Sequence, residues 1–191
     1  MFEYEGICIR PIEERDLTKM VSLRADPEVW TNLGDITMIN LTMQRDWFLR
    51  LLTDPKRRYF VLATKKIDFI GIVRMDELNW VDRSVRVGGD IAAKYRGKGY
   101  GKRLFKLLAK YCFDYLNLER MWLLVLENNV RARALYRKSG FVEEGRQRRA
   151  VFRDGKYQDY LMLSLLREEW RRTSSHESVD DAGDGAGVVG G

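Results

Sequence analysis

A glycine- and lysine-rich stretch at residues 90–105 constrains the fold of this chain more than any other feature. Before it, Val85 to Ile91 alternates apolar and polar residues, which predicts a β-strand, and after it an amphipathic run to Leu116 predicts a helix. Three glycines and four cations lie around the junction: Gly97, Gly99, Gly101, Arg96, Lys98, Lys102 and Arg103. A strand that turns through glycines into a helix directs unpaired amide N–H groups and the positive end of the helix dipole at one point. Such a point binds anions, phosphate above all.

The spacing of the glycines excludes the two common nucleotide-binding loops. The dinucleotide fingerprint requires a third glycine where Lys102 stands, and a P-loop requires Ser or Thr where Arg103 stands. The pattern that fits is Arg-x-x-Gly-x-Gly at residues 96–101, which resembles the acetyl-CoA diphosphate loop of the GNAT family of N-acetyltransferases. Taken alone, the stretch is also compatible with a glycine-rich turn that carries solvated lysines.

A second motif follows at the expected distance and strengthens the resemblance. GNAT members carry Asn-x-x-Ala-x-x-x-Tyr-x-x-x-Gly-Phe, which is matched here by Asn129, Ala132, Tyr136, Gly140 and Phe141. The resemblance extends over roughly Ile7 to Leu166. It is closest to the branch that contains ribosomal-protein N-terminal, spermidine and amino-sugar acetyltransferases, which also shows the Ile-Arg-Pro of residues 9–11 and the Asp-Gly-x-Tyr-x-Asp of residues 154–159.

The resemblance implies a role for each matched residue. Tyr136 would protonate the departing thiolate, and Asn129 would hydrogen-bond the pantetheine arm while also capping a helix. Backbone groups at the strand end would meet the pantetheine, and main-chain amides of the glycine-rich loop would hold the diphosphate. The predicted acetyl-CoA-binding residues are Ile91, Ala92, Ala93, Arg96, Gly97, Lys98, Gly99, Tyr100, Gly101, Lys102, Asn129 and Tyr136.

The general base is the part of the site that the motifs leave open. A free alkyl amine has a pKa near ~10.4, so the enzyme must obtain it in the deprotonated form. Much of the branch has a glutamate where alignment on the loop places Arg86. We therefore take Asp90, on the same strand, and Glu77, on the strand before, as the predicted catalytic carboxylates. Asp76, a bound water chain, and purely surface roles for these carboxylates are the alternatives.

Charge and composition limit the other classes of function. The 191 residues carry a net charge of +6, and residues 173–191 contain four acids and no Lys or Arg, so residues 1–172 carry +10. A basic body favours anionic ligands such as coenzyme A. The single histidine, His176, lies in that tail, and Cys8 and Cys112 fall in a predicted strand and helix as small buried side chains. We therefore expect neither a metal site nor a disulfide.

Hydrophobic periodicity predicts one α+β domain over residues 1–172. The expected architecture is a mixed, mostly antiparallel central sheet of about seven strands with about four helices, splayed at the acetyl-CoA site. Strands are predicted at 7–12, 59–64, 69–75, 85–91, 121–126, 141–152 and 157–166, and helices at 13–24, 41–52, from the glycine-rich loop to 116, and at 129–139. Asp16 is a predicted helix cap. Residues 173–191 form an acidic Gly/Ser-rich tail that we predict to be disordered.

The function expected from these features is transfer of acetyl from acetyl-CoA to the primary amine of a small molecule by direct attack in a ternary complex. A polyamine or an amino sugar is the expected acceptor, and the basic body suits an amino sugar on a nucleotide better than a polyamine. The alternatives are a protein N-terminal acetyltransferase of the ribosomal type and a non-catalytic module that binds acetyl-CoA or nucleic acid. No apolar run approaches a membrane span and the start is acidic, so we expect a cytoplasmic protein without a membrane partner. Nucleic acid is a disfavoured partner, and a homodimer is compatible with the sequence.

Overall fold

A single twisted sheet organises residues 1–172, which are the residues that the computed structural model describes. The sheet has eight strands: β1 (Phe2–Tyr4), β2 (Ile7–Pro11), β3 (Arg58–Ala63), β4 (Gly71–Asn79), β5 (Ser84–Ile91), β6 (Arg120–Leu126), β7 (Val142–Arg153) and β8 (Lys156–Leu166). Their spatial order is β1-β2-β3-β4-β5-β6-β8-β7. The pair β5–β6 is parallel and every other neighbouring pair is antiparallel, so the α+β prediction is confirmed. The predicted disordered tail lies outside the described residues.

Helices cover both faces of the sheet. They are α1 (Leu17–Arg24), α2 (Pro27–Trp30), α3 (Leu41–Thr53), α4 (Tyr100–Lys110), which continues as a π-helical turn over Tyr111–Tyr115, and α5 (Val130–Lys138). Side chains of α1 pack with β2 and β3 into one buried cluster, and side chains of α4 pack with β2 to β6 and β8 into a larger one. Both cysteines are buried and unpaired. Within residues 1–172, no helix is long and apolar enough to cross a membrane.

Three local features differ from the sequence prediction. Strand β1 was not predicted, because three residues are too few to show a periodicity, and it accounts for the eighth strand. Helix α2 lies in the predicted loop region and begins at Pro27 under a cap from the Asp26 carboxylate, which accepts from the Glu28 N–H at 3.0 Å. Asp16 stands at the N-cap position of α1 as predicted, but its buried carboxylate does not bond the α1 amides. It accepts from the Glu13 N–H at 2.9 Å, in the capping box of the preceding 3-10 turn, and from Arg10.

Strands β5 and β6 pair only over the first three residues of each strand. Their register pairs are Ser84 with Arg120, Val85 with Met121 and Arg86 with Trp122, and none follows among the described residues. Strand β5 nevertheless continues to Ile91 in register with β4, and β6 continues to Leu126 in register with β8. Each strand therefore keeps one partner and presents one free backbone edge to the gap between them, as the predicted splay requires.

Two glycines allow close packing around the splayed end of β5. A Cβ atom on Gly71 of β4 would lie 2.0 Å from the backbone carbonyl oxygen of Asp90. A Cβ atom on Gly89 would lie 2.5 Å from the Leu104 side chain of α4. Because the first of these contacts is with backbone, it cannot be relieved by a rotamer change.

This packing generates a prediction about stability. Replacement of Gly71 by alanine should lower the free energy of unfolding by about 3 kcal/mol, since β4 and β5 must separate locally to admit the methyl group. Gly145 of β7 is the matched control, because a Cβ there meets nothing within 4 Å. Gly145→Ala should change the free energy by less than about 1 kcal/mol. Urea unfolding at a constant m-value measures both, and equal midpoints for the two variants would contradict the packing argument.

Candidate acetyl-CoA and amine site

A cleft of ≈ 1020 Å³ opens where β5 and β6 part. Its wall is built from the end of β5, the glycine-rich loop, the start of α4, one face of α5 and the segment that contains α2. Ten predicted site residues line it: Asp90, Ile91, Arg96, Gly97, Gly99, Tyr100, Gly101, Lys102, Asn129 and Tyr136. Four predicted site residues are not part of this wall: Glu77, Ala92, Ala93 and Lys98. The backbone of Ala92 is used within the fold, because its N–H donates to the Ile70 carbonyl at 2.9 Å.

The glycine-rich loop forms the anion-binding part of the cleft. Gly97 and Gly99 have φ angles of +75° and +78°, a region that only glycine adopts without strain. Gly99 is the N-cap of α4 and has no side chain with which to satisfy the helix amides. The first helical hydrogen bond runs from the Arg103 N–H to the Gly99 carbonyl, so the amides of residues 100–102 precede it and point out of the helix end. The loop can therefore hold a diphosphate mainly by backbone donors.

The Arg96 guanidinium forms ion pairs within the fold. Its guanidinium pairs with Asp26 at 2.7 Å and with Glu28 at 3.1 Å, and its Nε donates to the Ile91 carbonyl at 2.9 Å. These contacts join the end of β5 to the start of α2. The Ile91 carbonyl, predicted to meet the pantetheine, is thus already an acceptor within the fold.

Asn129 caps α5 as predicted, since its side-chain oxygen accepts from the Ala132 N–H at 3.0 Å. Its amide nitrogen donates to the side-chain oxygen of Asn32 at 2.8 Å. We call residues 26–35 the strap, because this segment is bonded to both sides of the cleft. It contacts Arg96 on one side and Asn129 on the other, and the Leu33 carbonyl also accepts from Arg153 at 2.8 Å. The strap was not predicted as a binding partner of these residues.

Tyr136 of α5 stands in the cleft with its ring held by aromatic neighbours. Phe105 packs edge-on against it with ring centroids 5.1 Å apart, and Phe141 lies at 6.0 Å. Burial, together with the negative charge of Asp90, raises the pKa of Tyr136 to about 12, although Arg74 acts in the opposite direction. The phenol therefore keeps its proton at neutral pH, which is the state that a proton donor requires.

A partly buried ion pair lies at the inner end of the cleft. The Arg74 guanidinium on β4 donates to the Asp90 carboxylate on β5, and both side chains line the cleft. Gly88 makes room for this pair, since a Cβ there would lie 3.1 Å from the Arg74 guanidinium. The Asp90 carboxylate is thus engaged in a charge-assisted hydrogen bond, and its catalytic role stays a prediction. Arg74 itself was missed, because a lone arginine in a strand carries no motif.

The other carboxylates proposed as bases are also engaged. Glu77 sits at a β-bulge with a φ of +52°, outside the cleft wall, and pairs with Arg86 at 3.2 Å. This placement argues against the predicted catalytic role of Glu77. Asp76 does line the cleft, but it accepts from the Tyr59 hydroxyl at 2.8 Å and lies 3.8 Å from Arg86. Each of these carboxylates therefore has a cationic or hydroxyl partner.

Comparison with known families decides which protein family this geometry belongs to. A model described as an acetyltransferase (GNAT) domain matches residues 7–142. The chain is a GNAT N-acetyltransferase. The resemblance of both sequence motifs is thereby confirmed. Like other GNAT enzymes, the chain uses acetyl-CoA as its acetyl donor, and the unpaired amides at the start of α4 and the free strand edge fit that molecule.

Individual relatives agree with this assignment over most of their length. The spermidine N(1)-acetyltransferase of Vibrio cholerae is 27% identical over 168 residues, which cover 88% of this chain and 97% of the relative. The L-amino acid N-acetyltransferase AaaT of Escherichia coli is 27% identical over 163 residues, which cover 84% of this chain and 98% of the relative. The crystal structure of the Vibrio cholerae spermidine N-acetyltransferase in complex with CoA and spermine superposes with a TM-score of 0.82 at 27% identity, covering 88% of this chain and 99% of that chain.

The glycine-rich loop generates a prediction with a matched control. Gly99→Ala should raise the Kd for coenzyme A at least about tenfold, because a Cβ at a φ of +78° displaces the amides that hold the diphosphate. Gly155, in the β7–β8 turn, has a φ of +75° and equally open surroundings, so Gly155→Ala introduces the same backbone strain away from the cleft. Titration calorimetry with coenzyme A measures both. A Kd that rises equally in both variants, or in neither, would exclude the loop as the diphosphate site.

Proposed function

We propose that this chain transfers acetyl from acetyl-CoA to the primary amine of a small molecule, by direct attack with both substrates bound. One observation carries the proposal: the unpaired amides of the glycine-rich loop, the free edge of β5 and the protonated Tyr136 phenol meet in a single cleft. The family's activity requires all three, because the donor must be anchored, aligned and given a proton as its thiolate leaves.

The chain's own residues would contribute to acetyl transfer as follows. When bound, acetyl-CoA supplies an activated acetyl group as a thioester. Amides of residues 97–102 hold the diphosphate, and the splayed edges of β5 and β6 align the pantetheine arm by backbone hydrogen bonds. Tyr136 delivers a proton to the sulfur. The aromatic contacts with Phe105 and Phe141 fix the direction from which it does so.

The amine would lose its proton without a dedicated carboxylate base. Arg74 and Arg86 both line the cleft, but each is paired with a carboxylate, Asp90 and Glu77 respectively. Burial in the cleft is therefore the effect that disfavours an ammonium ion there. The free amine is then the form that reacts, and its proton leaves through water. This arrangement would replace the glutamate that much of the branch has where this chain has Arg86.

Two acceptor classes follow from the relatives. Polyamines come first, because the Vibrio cholerae neighbour binds spermine and carries the name of a spermidine acetyltransferase. Amino acids come second, from the name of the Escherichia coli relative. A thiol-release assay with acetyl-CoA and a panel of polyamines, amino acids, nucleotide-linked amino sugars and short peptides tests the proposal. Release that no amine stimulates, with coenzyme A still bound, would indicate a non-catalytic binding module instead.

We also propose a cytoplasmic location and self-association. The first rests on the sequence features described above. The second rests on the dodecameric structure known for the Vibrio cholerae spermidine N-acetyltransferase. Light scattering after size-exclusion chromatography of the full chain measures the oligomeric state directly, and a monomer at all concentrations would contradict self-association.

The assignment of the proton donor generates a prediction. Tyr136→Phe should lower kcat about 100-fold or more while the Kd for coenzyme A changes less than about twofold, because only the proton transfer is lost. With wild type, kcat should show no alkaline decline from this group below about pH 11, since burial raises the pKa of Tyr136 to about 12 and the donor stays protonated.

Glu77→Gln provides the comparison, because Glu77 is the predicted catalytic carboxylate that lies outside the cleft wall. Its kcat should stay within about twofold of wild type. A large loss of kcat in Glu77→Gln, or none in Tyr136→Phe, would overturn the division of roles described here.

A further inference from the structure

The carboxylate of Glu28 lies between two arginines in the wall of the acetyl-CoA cleft. Its Oε2 atom is 3.1 Å from the Arg96 guanidinium and 3.4 Å from the Arg131 guanidinium. Arg96 lies between the end of β5 and the start of α4, whereas Arg131 stands in the first turn of α5. All three residues line the cleft. One carboxylate oxygen of the strap therefore bridges the two sides of the cleft.

The Arg96 guanidinium has a second and better protected partner. It donates to the Asp26 carboxylate at 2.7 Å, and both of these side chains are partly buried. This hydrogen bond lowers the pKa of Asp26, so the carboxylate stays ionised at neutral pH. Because Asp26 already neutralises Arg96, the charge of Glu28 is balanced mainly by Arg131.

The pair of Glu28 and Arg131 is exposed and easily exchanged. The two side chains are 65% and 66% exposed. An exposed ion pair contributes little to stability, so another anion can take the place of the carboxylate at low cost. The cleft wall that contains this pair also contains Gly97, Gly99 and Lys102 of the glycine-rich loop. A phosphate bound to the loop amides is therefore repelled by Glu28, and is attracted by Arg131 once Glu28 has left it.

The strap contacts the start of α5 through a second pair as well. The Asn129 side-chain amide donates to the Asn32 side-chain oxygen at 2.8 Å, and Asn129 is a predicted donor to the pantetheine arm. The contacts of Asp26 with Arg96 and of the Leu33 carbonyl with Arg153 involve neither Asn129 nor α5. The strap can therefore exchange its contacts at α5 while it remains held elsewhere.

We infer that Glu28 is a built-in competitor for the phosphates of acetyl-CoA, and that Arg131 is a further phosphate-binding residue of the cleft. Glu28 holds the Arg131 guanidinium until a phosphate of the donor replaces the carboxylate. Since Asp26 stays on Arg96, donor binding releases the strap at α5 and leaves it attached at β5. The inference rests on donor binding in the cleft and is independent of which amine accepts the acetyl group.

Titration calorimetry of the full chain with coenzyme A, at an ionic strength of about 0.1 M, tests the competition. Glu28→Gln should lower the Kd about three- to fivefold, because Arg131 is then free for phosphate, and Arg131→Gln should raise it by a similar factor. In the Arg131→Gln background, addition of Glu28→Gln should change the Kd less than about twofold, since the contested cation is gone.

Dephospho-coenzyme A, which lacks the 3′-phosphate and keeps the diphosphate, distinguishes the two phosphate groups. If Glu28→Gln tightens the binding of both ligands equally, the diphosphate is the group that competes with Glu28. If the gain is confined to coenzyme A, the 3′-phosphate is that group. Either result supports the inference.

Glu119→Gln is the matched control. Glu119 also lies between two arginines, Arg83 at 3.5 Å and Arg167 at 3.7 Å, but it is not part of the cleft wall. This variant changes the net charge by the same amount and should leave the Kd for coenzyme A within about 1.5-fold of wild type, because distant charges are screened. Unchanged urea midpoints show that each variant is folded.

Unchanged or weaker binding of coenzyme A to Glu28→Gln would overturn the inference. Equal gains in Glu28→Gln and Glu119→Gln would overturn it too, and so would a gain from Glu28→Gln that is the same with and without Arg131. Thiol release by the wild type measures acetyl transfer separately. Normal thiol release together with any of these three results would therefore contradict the competition and leave the proposed function intact.

Discussion

The separation of β5 from β6 is the constraint on which the rest of the site depends. Parallel strands that stayed paired would bury their facing amides and carbonyls in the sheet and leave no opening. Here three register pairs hold the two strands together, and each then follows its other neighbour. The gap exposes backbone donors and acceptors in the middle of a folded domain, where a ligand arm can satisfy them. The glycine-rich loop begins where β5 ends, so the anion site and the free edge are in line.

Ion pairs tie the remaining walls of the cleft to this frame. Arg96 joins the end of β5 to the strap through Asp26 and Glu28, and Asn129 joins the strap to the start of α5. The Arg74–Asp90 pair joins β4 to β5 in the wall of the cleft. Arginines that the sequence would assign to phosphate or substrate binding therefore already form ion pairs within the protein. What remains available for the coenzyme is mostly backbone.

The strands and helices could be predicted from the sequence because the patterns that indicate them are local. Apolar alternation, β-rich or continuous apolar runs and turn residues located seven of the eight strands, and the glycines identified the turn from β5 into α4. Arg74 was missed, since its importance comes from partners that only the register brings near: Arg74 is opposite Gly88, and Asp90 lies two residues further along β5. The position of Glu77 likewise depends on the fold rather than on the local sequence. A bulge in β4 turns it away from the cleft, and no local pattern in the sequence announces that bulge.

The central claim is that main-chain amides between Gly97 and Lys102 hold the diphosphate of the donor. Hydrogen exchange of the full chain, followed by mass spectrometry with and without coenzyme A, tests it most directly. The account predicts strong slowing of exchange in a peptide that covers residues 97–102, and little change in a peptide from the β7–β8 turn. Unchanged exchange at residues 97–102 under saturating coenzyme A would contradict it.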